Sequence, residues 1–354
     1  MSGVWRISAE GLVQTPSGGA EWTTGFHAAV DQWERACPMA YTSGTTGHPV
    51  EHRFSMEAVV ASAEATALHF KLDQTSDMPV TAWSPLPAEG TGGRMMVWRA
   101  LALGWDLTVS KPAAAPEVPA SPAPDGRYHF AVATPLQAQH LMESGHLRRF
   151  KLLLLGGAPV SPDLETALQG AAQDAACHIY HGFGMTETLT HVATRTLGTE
   201  VYTALPGVQI GASNSGTLVL DIPVRGVHGL VTQDAVEVLS ETAHSPAGAA
   251  RQFSWLGRQD DVINSGGLKL HPAALERHWS AHLQGVLKAK RWYVCGRPDD
   301  RLGARVTLVV EGPTDAALTS AVLEALSEEG NARPRAVEFR ETFEETASGK
   351  VRRT

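Results

Sequence analysis

Between residues 38 and 181, short β-type runs alternate with helical stretches, and no other feature limits the available folds as much. The strand runs lie at 39–42, 80–84, 107–110, 129–133, 151–155 and 178–181; the helical stretches occupy 55–71, 92–103, 135–144 and 161–175. Two helices carry start signals. Thr134-Pro135 and Ser161-Pro162 each place a hydroxyl at the N-cap, where it accepts from an orphaned N–H, and proline at the first helical position, where its missing N–H does no harm. Strands joined through helices suit parallel neighbours, so the pattern predicts βαβ units and a mainly parallel sheet. Residues 111–125 hold five prolines and read as a surface connection, because the alternation resumes behind them. The first 36 residues, glycine-rich with Trp5, Trp22 and Trp33 as isolated anchors, read as a small cap on the next unit.

The character changes near residue 200. Turn signals at Pro206-Gly207, Ser215-Gly216 and His228-Gly229 punctuate short β runs and predict an antiparallel sheet or small barrel over 200–257. A second change falls near Gly257. Helix 272–283, strands 291–297 and 304–311, helix 314–328 and strand 336–340 describe a small α+β unit, with Leu318, Ala321, Val322, Ala325 and Leu326 on one helical stripe. The expected fold class is α/β. A large N-terminal domain covers 1–257, with mainly parallel sheets and a β-rich subdomain at 200–257, and a small α+β C-terminal domain covers 258–354.

Composition acts by exclusion. With 29 Lys+Arg against 37 Asp+Glu, the chain carries a formal charge of -8 and lacks the basic excess that nucleic acid or an anionic membrane surface demands. Its longest purely aliphatic run, Leu152–Leu155, is far too short to span a bilayer, so no membrane insertion is expected. Cys37, Cys177 and Cys295 are distant and odd in number; they form neither a disulfide framework nor a zinc motif and suit a reducing, cytoplasmic setting. The first residues lack the basic-then-apolar pattern of a secretory leader.

Four motifs carry chemistry. Residues 41–49, Tyr-Thr-Ser-Gly-Thr-Thr-Gly-His-Pro, place glycines and hydroxyls directly after a strand. Glycine lets backbone approach an anion, and N–H and hydroxyl groups donate to phosphate oxygens; the GK[ST] ending of a P-loop is absent. Residues 180–188, Tyr-His-Gly-Phe-Gly-Met-Thr-Glu-Thr, present an aromatic ring, a hydroxyl and a carboxylate able to hold Mg²⁺ beside phosphates. Residues 255–270 place Arg258, Asp260, Asp261 and the pair Gly266-Gly267 at the composition change. Residues 346–353 put Lys350 on a glycine-containing tail. Taken singly, these admit plainer readings: a polar turn, a capped loop, an interdomain turn and a solvated basic tail.

In this order and spacing the four are jointly specific, and from about Ala40 onward the chain resembles the acyl-adenylate-forming superfamily of acyl-CoA synthetases, luciferases and nonribosomal peptide adenylation domains. A narrower likeness is to the short o-succinylbenzoate–CoA ligases of menaquinone biosynthesis. It rests on Gly92-Gly93-Arg94-Met95-Met96-Val97-Trp98-Arg99-Ala100-Leu101, Gly156-Gly157-Ala158-Pro159, Gly184-Met185-Thr186-Glu187-Thr188-Leu189-Thr190-His191 and residues 262–270.

The resemblance implies an ATP-dependent ligase that makes an acyl-adenylate from an aryl carboxylic acid and passes the acyl group to coenzyme A. Ser43, Gly44, Thr45, Thr46 and Gly47 would hold the β/γ-phosphates. Phe183, Gly184 and Met185 would line the base, Thr186 would bond the α-phosphate, and Glu187 would hold Mg²⁺. Asp234 and Arg258 would contact ribose. Lys350 would bridge acid and α-phosphate, brought in by a mobile C-terminal domain pivoting at Asp260, and the other orientation would offer Gly266 and Gly267 to the pantetheine arm. Arg94, with Arg99 beside it, and Thr190 and His191 are the candidates for a second carboxylate, and Gly156 and Gly157 would let a flat ring lie against backbone. Four departures stand out. The first motif begins unusually early, the phosphate loop ends Pro49-Val50 where the family usually has Pro-Lys, the aromatic-His pair often found after a Pro-Leu is absent from Pro85-Leu86-Pro87-Ala88, and Phe183 stands where Tyr is common. Another aryl or fatty acid, loading of a carrier protein, binding without turnover, and assembly as a homo-oligomer stay open at this point.

Overall fold

The computed structural model describes residues 4–8, 13–14, 21–41, 50–72, 78–239, 251–288, 290–344, 351 and 353. In chain order the elements of the larger body are β1 (Val4–Ile7), β2 (Val13–Gln14), α1 (Thr24–Glu34), β3 (Met39–Tyr41), β4 (Glu51–Arg53), α2 (Met56–His69), β5 (Thr81–Ser84), α3 (Thr91–Leu103), β6 (Asp106–Ser110), β7 (Phe130–Ala133), α4 (Pro135–Glu143), β8 (Leu152–Leu155), α5 (Pro162–Ala175) and β9 (His178–Gly184). Next come β10 (His191–Thr196), β11 (Val201–Ala204), β12 (Gln209–Ala212), β13 (Thr217–Ile222), β14 (Val227–Leu239) and β15 (Gln252–Arg258).

The predicted βαβ units are present. β6, β5, β7, β8 and β9 pair in parallel and form the centre of the sheet. Every residue of β5, β7 and β8 is buried, as strands covered on both faces must be. Alternation sorts the two faces. Ala82, Phe130, Val132, Leu152 and Leu154 point to a core shared with α1, α2 and α3. Trp83, Ala131, Ala133, Leu153 and Leu155 point to a second core under α4 and α5. Both predicted caps form. Thr134 Oγ1 accepts from Gln137 N and the Gln137 amide accepts from Thr134 N in a capping box, and Ser161 Oγ accepts from Leu164 N.

Three expectations are refined. The first residues are more than a cap: β1 pairs antiparallel with β6 and extends the sheet edge, burying Trp5 completely. The run at 39–42 does not join the parallel sheet, because β3 pairs with β4 in a separate two-stranded ribbon. The segment after residue 200 is antiparallel as predicted, and among the described residues its strands close no barrel. β10 to β15 continue the main sheet through β9, giving thirteen strands in the order β12-β13-β14-β15-β11-β10-β9-β8-β7-β5-β6-β1-β2.

A second sheet is built from β16 (Ile263–Ser265), β17 (Leu268–Leu270), β18 (Trp292–Asp299), β19 (Gly303–Glu311) and β20 (Ala336–Arg340), with α6 (Pro272–Leu287) and α7 (Ala316–Ala325) over one face. Trp279, Leu283, Val294, Leu308, Val322 and Leu326 form its own core. Gly266 and Gly267, both at positive φ, make the tight two-residue link between β16 and β17 that other residues resist. Among the described residues no helix is long and apolar enough to cross a membrane.

Candidate active site

The end of β9 and the chain after it form the centre of the site. A side chain at Gly184 would lie 2.4 Å from His191 Cα and from Thr190 O, so only glycine lets the outgoing and returning segments touch. Between them runs a single 3-10 turn, Thr186–Thr188. The Thr188 hydroxyl sits 3.0 Å from Met185 O and 2.9 Å from Thr190 O, and it accepts from Met185 N. Leu189 then adopts φ +71, a costly conformation for a branched residue, held by full burial. The turn presents Glu187 to solvent and sets Thr186 Oγ1 3.1 Å from Thr91 Oγ1 in the first turn of α3. No sequence motif marks Thr91, since only the fold brings α3 to this turn.

Phe183, one residue earlier, is half-buried and packs edge-on against Tyr202 and Phe253, at 5.7 and 5.4 Å between centroids. Facing the end of β8, the loop that begins Gly156-Gly157-Ala158 leaves open space. A side chain at Gly156 would meet nothing within 4 Å, and one at Gly157 only Thr134 Cγ2 at 3.9 Å.

Beneath the turn two arginines and an imidazole are buried together. Arg99 is 2 % exposed, Arg225 6 % and His191 7 %. Arg99 Nη1 reaches Met96 Sδ, and its guanidinium lies 5.7 Å from the Phe130 ring centre; among the described residues its Nε and Nη2 have no hydrogen-bond partner. Arg225 Nη1 donates to Thr188 O at 3.4 Å, while its Nη2 and the His191 Nε2 are also unpartnered. Burial, and then the neighbouring Arg225, bring the Arg99 guanidinium down to about 9; burial brings Arg225 down to about 10. Burial, followed by Arg99, Arg225 and His69, holds the His191 imidazole well below its ordinary value and keeps it neutral.

Arg94, expected to face the second carboxylate, is engaged elsewhere. Its Nε donates to Ala88 O at 3.0 Å and its Nη1 to Met39 O at 2.6 Å, tying α3 to β3 at the approach to residues 42–49. Thr190 Oγ1 lies 3.3 Å from His191 Nδ1.

On the other flank, Asp234 of β14 stands opposite Arg258 of β15. The Trp255 indole donates to Asp234 Oδ1 at 2.9 Å. Arg258 forms a two-point contact with Asp260, at 3.1 and 3.4 Å, which raises the guanidinium and lowers the carboxyl. A cavity of about 400 Å³ lies between this hairpin and β16–β17, lined by Asp260, Asn264, Lys269 and His271 among others. Ser43, Gly44, Thr45, Thr46, Gly47 and Lys350 lie outside the described residues. Arg225 and Tyr202 are the further side chains that sequence reasoning passed over, each from an antiparallel strand or turn with no motif of its own; Trp255 opens the third motif but has no role assigned to it there.

The profile of the family described as "AMP-binding enzyme" matches residues 7–227. Two relatives bear the name 2-succinylbenzoate–CoA ligase. The one from Escherichia coli (strain K12) is 26 % identical over 296 residues, covering 81 % of this chain and 61 % of the relative. The one from Enterococcus faecalis is 27 % identical over 353 residues, covering 90 % and 68 %. The chain thus spans about three fifths of the length of the E. coli relative. Among solved structures, an acyl-CoA synthetase (AMP-forming)/AMP-acid ligase II-like protein from Dyadobacter fermentans aligns with TM-score 0.62 and 27 % identity, covering 99 % of this chain and 97 % of that one. An o-succinylbenzoate coenzyme A synthetase from Bacillus subtilis, solved with ATP and magnesium, aligns with TM-score 0.64 and 19 % identity over 88 % of this chain and 68 % of that one, a likeness of fold.

Proposed function

Because the chain belongs to the AMP-binding enzyme family, we propose that it is an AMP-forming acid–thiol ligase acting on an aryl acid with a second, remote carboxylate, namely 2-succinylbenzoate, with coenzyme A as acceptor. The observation that carries the choice of acid is the buried group of Arg99, Arg225 and His191. Among the described residues, four of its nitrogen atoms have no partner. Unpaired buried cations are a standing free-energy penalty, and a carboxylate delivered by the substrate would offset it. A monocarboxylate, its single charge committed at the phosphate, could not. The names of the E. coli and E. faecalis relatives support the same acid. In this reading Arg99, of the two α3 arginines that the sequence offered, takes the second carboxylate, and Thr190 and His191 border the same recess.

The reaction has two steps. A carboxylate oxygen attacks the α-phosphorus of ATP and pyrophosphate leaves; then the sulfur of coenzyme A attacks the acyl carbon and AMP leaves with the bonding electrons. No protein nucleophile is needed, so the protein contributes positioning and charge neutralisation. Ser43, Gly44, Thr45, Thr46 and Gly47 would hold the β/γ-phosphates, and Thr186, with Thr91 beside it, would donate to the α-phosphate. Glu187 is a single exposed carboxylate, and among the described residues no group of three metal-binding side chains exists. That donor set suits Mg²⁺, which takes one or two carboxylates and completes its shell with phosphate and water. The ion supplies neutralisation of phosphate charge.

Phe183, Gly184 and Met185 would line the base and Gly156-Gly157 the aromatic ring. Asp234, steadied by Trp255, and Arg258 would bind the ribose. Lys350 would bridge the two reacting groups. Residues 1–257 and 258–354 would act as two domains pivoting at Asp260, with Gly266 and Gly267 meeting the pantetheine arm in the second orientation. Three free cysteines, two of them buried, fit a cytoplasmic enzyme.

The test is acid-dependent ATP–pyrophosphate exchange, with 2-succinylbenzoate beside plain benzoate. Exchange strongly favouring the diacid is expected. Equal exchange with benzoate would remove the assignment of substrate, and ATP binding without exchange for any acid would remove the assignment of activity.

A further inference from the structure

A line of hydrogen bonds runs behind the base end of the cleft and uses residues that the two reaction steps do not. Glu165 of α5 holds Arg195 of β10 in a two-point contact, Oε1 to Nη1 at 2.5 Å and Oε2 to Nη2 at 2.7 Å, and also accepts from Gly198 N. Arg195 Nε reaches the Tyr202 hydroxyl at 3.4 Å, and that hydroxyl lies 2.8 Å from His181 Nδ1. His181 Nε2 in turn lies 3.1 Å from Ala158 O.

The two ends of this line fix every proton in it. A carbonyl oxygen only accepts, so His181 must carry its hydrogen on Nε2. Burial, then the nearby Arg195, bring the His181 imidazole down to about 4, so it is neutral and its Nδ1 is an acceptor. Tyr202 therefore donates to Nδ1 and offers a lone pair to Arg195. Arg195 is anchored by a carboxylate whose own value burial raises, but which the Arg195 and Gly198 donors bring below the ordinary range. One imidazole tautomer, one hydroxyl rotamer and one carbonyl direction result.

What this line holds is the wall of the proposed base pocket. Ala158 belongs to the open loop after β8, and Phe183 lies two residues beyond His181 on β9. Tyr202 serves both: its ring supports Phe183 edge-on, and it stacks on Phe253 at 5.3 Å and 13°. Among the described hydrogen bonds, that from His181 is the one received by Ala158 O.

We propose that Tyr202 and His181 are positioning residues for nucleotide binding, Tyr202 setting the tautomer of His181 and His181 fixing the Ala158 carbonyl at the base end of the loop, past the Gly156-Gly157 pair assigned to the acid's ring. This rests on the reading of the cleft as an ATP site. It assigns the pair to the nucleotide and not to the acid.

The test uses the full chain with Tyr202→Phe, which keeps the ring and removes the hydroxyl, and His181→Phe, which keeps an aromatic plate without donor or acceptor. Tyr202→Phe is expected to raise the KM for ATP and the calorimetric Kd for AMP about three- to tenfold, the range for one lost buried hydrogen bond, with kcat and the KM for the acid within about twofold. His181→Phe should do the same or more, and the double variant should add little to it. In ¹⁵N spectra of histidine-labelled protein, the His181 resonances, identified by their loss in His181→Phe, should show the Nε2–H form alone in the wild type and mixed forms in Tyr202→Phe, a change that loss of stability alone would not produce. An unchanged tautomer with unchanged AMP affinity overturns the proposal, as does a KM effect confined to the acid. AMP titration separates this outcome from failure of the ligase reading, because it needs no turnover.

Discussion

Replacing Arg99 by methionine should make the free protein more stable and its chemistry worse. Arg99 is 2 % exposed and two of its nitrogens find no partner. A guanidinium brought down to about 9 by burial, and then by Arg225, carries a penalty for staying charged at pH 7 on the order of 5 kcal/mol. Methionine has similar length and no charge, and Met96 already lies alongside. Against the relief stands the contact with the Phe130 ring, worth roughly 0.5–2 kcal/mol. Repacking is incomplete, so a net gain of about 1–3 kcal/mol in unfolding free energy is expected for Arg99→Met, several degrees in Tm. The sign has a pH signature. Arg99 is a base whose folded value lies below its unfolded one. The penalty is therefore complete below about 9 and fades as pH rises toward the ordinary arginine value, so the gap between variant and wild type should narrow in alkali. Charge-assisted hydrogen bonds to a carboxylate contribute about 1.5–3 kcal/mol each, so loss of a two-point contact should raise the KM for 2-succinylbenzoate about a hundredfold or more. Benzoate, lacking the second carboxylate, should change by less than about threefold on the same scale. Urea unfolding at two pH values and pyrophosphate exchange with both acids measure all of this. A variant destabilised by several kcal/mol and equally impaired with both acids would refute the reasoning, since Arg99 would then be a compensated structural cation.

Three further outcomes are expected. Lys350→Ala should abolish adenylation while largely sparing thioester formation from preformed acyl-adenylate; equal loss of both steps would end the division of labour between the two domains. Arg94→Ala should lower stability by about 2–4 kcal/mol, because Ala88 O and Met39 O lose their donor in a buried place, and should affect diacid and monoacid alike. A change confined to the diacid would restore Arg94 to the acid pocket. Acid should weaken the fold from near pH 6.5 downward. His181 and His191 both bind protons less readily folded than unfolded, so the unfolded chain takes up protons first as pH falls, His181 following only near 4. Urea midpoints for His191→Phe should show a shallower decline over this window than the wild type.

The central architecture was legible because local signals agreed with one another. Hydroxyl-proline pairs start α4 and α5 where the sequence places them, and the all-buried strands β7 and β8 appear as the apolar runs that two-sided burial requires. The run at 39–42 shows the limit. Its residues suit a strand, but nothing local says which strand it will pair with, and β3 joins β4 in a ribbon of its own. The barrel alternative for 200–257 failed for the same reason: turn residues mark where strands end, not whether the last one returns to the first.

Motif chemistry followed the same division. The sequence by itself determined the parallel core, the second α+β unit, and the motifs of glycines, hydroxyls, carboxylate and lysine whose order resembles the adenylate-forming superfamily, because each element and each motif depends on residues close together in the chain. Only the tertiary structure decided which arginine of α3 is tied down by main-chain carbonyls. Arg94 and Arg99 are five positions apart on one helix; the first meets two main-chain carbonyls, whereas the second meets Arg225 and His191 from distant turns. A buried charge takes its meaning from the groups around it, and those groups come together only when the strands pair.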